Sequence, residues 1–153
     1  MSTISGSQRR QTGAPADQRL YEGLADFRLV MRRFLASSEH IARSAGVTTQ
    51  QYQAMLVIRA RSTRGMVLKD LAAEMHLAPN GAVQLIDRME RLGLVRRRPS
   101  PTDGRSVVIS LTSQGSRSLR RLARNHLAEL MRGHALLVDA LERLGQLESA
   151  AKS

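Results

Sequence analysis

The sequence predicts a mainly α-helical fold that carries one small β-hairpin. Three observations predict it. A chain of 153 residues is one domain's worth, or a small domain with helical extensions, and it can bury a core without staples. Apolar residues recur at steps of three, four or seven through most of the chain, the spacing of one helical face. That period breaks once, between Gly93 and Leu111, where two short β-rich runs flank a Pro/Asp/Gly cluster.

Residues 1–16 combine Gly6, Gly13 and Pro15 with polar residues and no period, so a disordered tail is expected there. Asp17 is a suitable cap for a helix over 17–46, with Leu20, Leu24, Phe27, Met31, Phe34 and Ile41 on one stripe and Gly46 as its stop. At roughly 28 residues and ~42 Å, that helix is longer than a domain of this size needs for packing on itself. It fits an internal core helix or a helix shared with a second chain, and its length favours the second.

Thr48 and Gln51 have capping-box spacing ahead of a second helix that carries Tyr52, Met55, Leu56, Ile58 and Ala60. The stretch Arg61–Gly65 breaks it, and a third helix is expected from about Leu68 to His76. Ala78 is a weak cap, but Pro79 suits a first helical turn, and a fourth helix runs to Leu92 and stops at Gly93. Leu94–Arg98 and Ser106–Leu111 read as strands joined by a turn over Pro99–Gly104. Thr112 caps a fifth helix to about Arg132, Gly133 marks a break or bend, and a sixth carries Leu136, Leu137, Ala140, Leu141, Leu144 and Leu147. The expected organisation is a tail over 1–16, flanking helices over 17–46 and 113–148, and a central lobe over 47–112.

Composition narrows the function. A formal charge of +11 points to a polyanion, either nucleic acid or an anionic membrane surface. No apolar run approaches membrane-spanning length, and residues 1–16 lack a secretory h-region, so a soluble cytoplasmic protein is expected. With no cysteine, the chain cannot form disulfides, Cys-ligated zinc or a thiol switch. Two Tyr, two Phe and no Trp are too few for the base-stacking platforms of single-strand binders. Duplex nucleic acid is the expected partner.

Segment 68–111 is the informative part. Two short helices joined by a tight turn and followed by a basic hairpin describe a winged helix-turn-helix. The second helix of such a pair enters the major groove, and a basic hairpin tip reaches a neighbouring minor groove. Asn80, Gly81, Gln84 and Arg88 lie on the turns that could face DNA. Gln84 is the best base reader, because its amide can pair bidentately with adenine. Arg88 is a candidate phosphate contact, or a partner for Asp87 or Glu90. Arg96, Arg97 and Arg98 alternate across their strand, so at least one points away from the groove. Arg97, Arg98 and Arg105 are the candidate contacts of the wing.

The runs Leu71-Ala-Ala-Glu-Met75, Ala82-Val-Gln-Leu-Ile-Asp-Arg-Met-Glu-Arg-Leu-Gly-Leu-Val95, Pro101-Thr-Asp-Gly-Arg105 and Leu111-Thr-Ser-Gln-Gly115 resemble the MarR family of bacterial transcriptional regulators. The resemblance covers about 20–148. It implies homodimers with interdigitated terminal helices, one winged helix-turn-helix per half of a palindromic operator, and usually repression. It implies that Asp103 braces the wing while Arg105 enters the minor groove. It further implies release by a small aromatic or anionic effector, in a pocket placed near Phe34, Tyr52 and Met55. Val83-Gln84 departs from the Thr or Ser followed by Arg of many relatives, which bears on the target sequence rather than the binding mode.

Arg117, Arg120, Arg121 and Arg124 share one helical face, either solvated or approaching phosphates. His126 and Glu129 have metal-ligand spacing but no cysteine or further ligand in support, and we assign neither metal nor cofactor. No nucleophile–base pair, phosphate loop or paired carboxylates argue for an enzyme. The competing class is an architectural duplex-DNA-binding protein with little sequence preference and no ligand.

Overall fold

The structure, a computed structural model, describes residues 15–151. Among these residues the chain forms five helices and three strands in the order α1 (Pro15–Ser44), α2 (Thr49–Arg61), β1 (Met66–Val67), α3 (Leu68–Glu74), α4 (Pro79–Arg91), β2 (Val95–Pro99), β3 (Val107–Leu111) and α5 (Ser113–Ala151). The fold is mainly helical with a small antiparallel sheet, as the period and the turn chemistry predict. Of the tail expected over 1–16, residues 1–14 lie outside the described residues, and α1 starts at Pro15 rather than after an Asp17 cap.

Two features differ from the expected elements. The hairpin gains a third strand, with Met66 opposite Ile109 and Val67 opposite Val108, giving the order β1-β3-β2. Two residues are too few for a period, so this strand exists only because the edge of β3 is there to pair with. Gly133 neither breaks nor bends the last helix out of register, and α5 runs unbroken through it. A lone glycine weakens a helix by about 1 kcal/mol relative to Ala but keeps its N–H, so neighbouring turns carry the ladder across.

Helix ends follow local chemistry. Thr48 and Gln51 form the full capping box: the Gln51 N–H donates to Thr48 Oγ1 at 3.1 Å, and the Thr48 N–H donates to Gln51 Oε1 at 3.0 Å. At the end of α4, Gly93 takes φ +70°, and the Leu94 N–H returns to the Met89 carbonyl at 3.0 Å. The end of α3 repeats this pattern one residue type poorer. His76 takes φ +52°, and the Leu77 N–H returns to Ala72 O at 2.8 Å. The side chain at 76 makes that turn strained, and it tightens the joint between α3 and α4 to four residues.

Residues 35–131 form one compact unit. Its core joins Met55 and Ile58 of α2, Leu71 of α3, Leu85, Ile86 and Met89 of α4, Ile109 of β3 and Leu122 of α5. Burying such side chains contributes roughly 1.5–3 kcal/mol each before conformational entropy is charged. Residues 15–34 and 132–151 form the other unit. In it, a Cβ built on Gly23 would meet Leu144 Cδ2 at 3.1 Å, and Asp26 lies 3.7 Å from Arg143. Leu20, Leu24, Leu136 and Leu141 of this unit are exposed. Among the described residues no helix is long and apolar enough to cross a membrane.

The run Leu111–Gly115 acts as a joint. The Thr112 hydroxyl donates to Gly93 O at 2.6 Å and accepts from the Gly115 N–H at 2.9 Å, so it caps α5 while holding the end of α4. Gln114 Nε2 donates to Leu92 O at 3.2 Å on the same turn. A Cβ on Gly115 would fall 1.9 Å from the Leu94 carbonyl oxygen, so only glycine admits this approach. G115A is expected to lose about 1–3 kcal/mol in urea denaturation, by overpacking against backbone. G133A should move the other way, gaining about 0.5–1 kcal/mol, because nothing lies within 4 Å of its Cβ position.

Candidate nucleic-acid interface

Helix α4 is amphipathic in the strict sense. Ala82, Leu85, Ile86 and Met89 are buried, while Asn80, Val83, Gln84, Arg88 and Arg91 are exposed at three- and four-residue steps. Ala78 makes no side-chain cap bond, and Pro79 begins the helix, as expected. The exposed stripe opens at the helix N-terminus, so Asn80, half-buried Gly81 and Gln84 sit on its first turns. Val83 is 40 % exposed, an apolar spot in an otherwise polar stripe.

The wing is fastened to this helix by one side chain. On β2, Arg97 pairs with Ile109 of β3, and its guanidinium folds over α4. Nη2 donates to Asp87 Oδ1 at 2.5 Å and to the Val83 carbonyl at 3.3 Å, and Nη1 donates to Glu90 Oε2 at 2.7 Å. The Arg97 N–H adds a bond to Glu90 Oε1 at 3.2 Å. Burial lowers the guanidinium's proton affinity, but the bonds and charges of Asp87 and Glu90 outweigh it and leave the pKa raised. Arg97 therefore cannot serve as the wing's DNA contact expected from the sequence, because two carboxylates already hold its donors. The same pairing corrects the partner suggested for Asp87 and Glu90: it is Arg97, and Arg88 is left exposed on the outer stripe. Nothing in spacing along the chain could identify this clasp, since α4 and β2 meet only in space.

At the wing tip Asp103 closes the turn. Its Oδ1 accepts the Arg105 N–H at 3.0 Å and its Oδ2 accepts the Ser106 hydroxyl at 2.7 Å. The Ser106 N–H donates to Asp103 O at 2.9 Å, and the Ser100 N–H to Ser106 O at 2.8 Å. The Ser106 and Arg105 bonds hold the Asp103 carboxyl below its ordinary pKa of 3.8. Those bonds are spent on backbone and hydroxyl of its own loop, so Asp103 shapes the tip while the Arg105 side chain is exposed. Arg98 is also exposed, on the strand face opposite Arg97.

The three residues named for an effector pocket are divided between the two units. Met55 has no exposed surface and packs in the core, so it cannot line an open pocket. Tyr52 stacks on His126, with ring centroids 4.1 Å apart, and burial raises its pKa. Phe34 belongs to the other unit. Both His126 nitrogens are engaged: Nδ1 donates to Leu122 O at 2.8 Å, because a carbonyl only accepts, and Nε2 takes the Ser38 hydroxyl at 2.8 Å. That arrangement makes His126 a structural residue of the α1–α5 packing within the unit 35–131.

R97A is expected to cost about 1–2 kcal/mol in stability, and to loosen the wing on α4. Hydrogen exchange checks it through faster exchange at β2 amides, and R97K should not restore protection, since an ammonium cannot fork to two carboxylates. The Asp103 bonds have the opposite sign to a histidine's. A depressed pKa stabilises the turn above the ordinary carboxylate range, and the contribution is lost as pH falls through the lowered value. The Arg105 amide resonance should therefore hold its position from neutral pH down to the ordinary range and shift only below it.

The MarR family model matches residues 45–106, from just after α1 to the wing turn that precedes β3. An organic hydroperoxide resistance transcriptional regulator of Bacillus subtilis is 34% identical over 70 residues, 46% of each chain. The chain spans about half the length of the curated relatives it matches first. The structure of AbsC, a MarR family transcriptional regulator from Streptomyces coelicolor, aligns with a TM-score of 0.69 at 25% identity, over 93% of both chains. That of CouR, a transcriptional repressor bound to a 23-mer DNA duplex, aligns with a TM-score of 0.64 at 20% identity, over 99% of this chain and 98% of that one. Residues 45–106 thus match the MarR family model, and the winged helix-turn-helix fold is similar to that of MarR family transcriptional regulators.

Proposed function

We propose that the protein is a homodimeric, sequence-specific DNA-binding repressor that releases its operator when a small aromatic or anionic ligand binds. The observation that carries this reading is the Arg97 clasp. It locks the basic wing to α4, so two DNA-reading elements act as one rigid body. Gln84 would read adenine, Val83 would meet a thymine methyl, and Asn80, Gly81 and Arg88 would position the helix against phosphates. Arg105, presented by the Asp103 turn, would enter the adjacent minor groove. CouR, of the same fold, is a repressor seen on a DNA duplex.

Dimerisation is supported by the exposed leucines of the unit built from the two chain ends. Leu20, Leu24, Leu136 and Leu141 are 40–56% exposed there, apolar surface that a second copy would remove from water. A two-fold dimer places two lobes on a palindrome, with half-sites about one helical turn (roughly 10 bp) apart or a multiple of it. Since the chain has no cysteine, ligand release here would be non-covalent rather than by thiol oxidation.

Duplexes selected from random sequence test the reading directly. A palindrome bound at least 10³-fold more tightly than random DNA is expected, whereas equal affinities would favour the architectural alternative. Q84A should cost about 1–3 kcal/mol on the selected site and relax specificity at one position, and R105A should lower the salt slope by about 1. Sedimentation at micromolar concentration should give a dimer, and a monomer would remove the palindrome. Salicylate should weaken operator binding; an unchanged affinity with a panel of aromatic carboxylates would remove the effector.

A further inference from the structure

Strand alternation divides the wing's arginines between two faces. Arg97 lies on α4, so Arg96 and Arg98 project from the other face. There they meet the end of α2 and the loop after it. A cleft of about 340 Å³ is lined by Arg59, Arg64, Arg96 and Arg98, with the hydroxyls of Ser62 and Ser110 among its walls. Arg96 Nε donates to Ser110 Oγ at 3.3 Å, which turns that guanidinium along the sheet. Among the described residues, the ion pairs of this region are Arg61 with Glu74 and Arg97 with Asp87 and Glu90, and neither involves the four arginines of the cleft. No carboxylate lines the cleft.

The cleft does not end at the wing. Arg96 also borders a second hollow, lined by Arg117 and Arg120 of α5 and again without a carboxylate. Six arginines from the end of α2, the loop after it, β2 and α5 thus form a continuous track. Unneutralised guanidiniums so close together repel one another and are stabilised by any polyanion that spans them. A track suits a chain of phosphates better than one small anion, and guanidinium forks match phosphate oxygens bidentately.

We infer that this track is a second phosphate-binding surface, which takes the duplex flanking the half-site. The inference rests on the DNA-binding reading above. With α4 in the major groove and the wing tip in the next minor groove, the wing's reverse face looks along the duplex, away from α4. DNA leaving the half-site would reach the track by bending toward it, and the added phosphate contacts offset the cost of the bend.

Two duplex lengths separate this surface from the half-site contacts. One carries the selected palindrome alone, and the other extends it by about one helical turn (roughly 10 bp) of scrambled sequence on each side. The full chain should bind the longer duplex about 10-fold or more tightly at low salt, with a salt slope steeper by about 2. R59A/R64A, with R117A/R120A as an independent second variant, should abolish that length-dependent gain and leave affinity for the short duplex unchanged. A thermal melt checks that each variant is folded. Equal affinity of the wild-type chain for both lengths overturns the inference, as does a variant that loses equally on both. Pyrophosphate binding at micromolar concentration that R59A/R64A removes, without a length effect, also overturns it and assigns the cleft to a free anion. If the palindrome shows no preference over scrambled DNA, the half-site reading fails, and the length comparison on scrambled duplexes still decides the track.

Discussion

Everything in the winged helix-turn-helix lobe hangs on the backbone at Gly93 and Leu94. Only three residues separate the end of α4 from the start of β2, and α5 is pressed so close that a methyl at Gly115 would overlap the Leu94 oxygen. Thr112 binds both Gly93 O and the Gly115 N–H, so one hydroxyl sets the end of the helix and the start of the next. Polar backbone groups at helix ends need partners, and here the partners are other helix ends rather than water. The Leu-Thr-x-x-Gly pattern is therefore steric and hydrogen-bonding logic in one segment.

Above that joint the Arg97 clasp converts proximity into rigidity. A two-stranded hairpin alone is marginal in water, and the wing would otherwise depend on the short β1 pairing and its contacts with the core. Binding the guanidinium to two carboxylates on successive turns of α4 fixes the separation between helix and wing. It also neutralises Asp87 and Glu90, which would repel phosphate on the very helix that carries Gln84 and Arg88. Stability and electrostatic complementarity come from the same bonds. The strand's alternation then leaves Arg96 and Arg98 free of α4, and the reverse face becomes basic as a geometric consequence.

Much of this was legible along the chain. The capping box of Thr48 and Gln51, the stops at Gly46 and Gly93, the amphipathic α4 and the Pro/Asp/Gly turn each act over a few residues, so residue types and spacing carry them. The bracing role of Asp103 came only from the family resemblance, although its acceptors reach just two and three residues onward. The misreadings fall where distant segments meet. Arg97 looked like a DNA contact until Asp87 and Glu90 came within reach, and Met55 looked like a pocket wall until the core closed over it.

Local propensity and hydrophobic period thus dictate the helices, the wing and the lobe's outward stripe, since a helix or tight turn needs only its own neighbours. Through-space packing settles what period cannot. It decides which side of the alternating Arg96–Arg98 run meets α4, and it creates β1 by offering it an edge. A side chain's role depends on which opposite charge, backbone edge or apolar surface lies within a few ångströms, and those neighbours come from parts of the chain that no short window contains.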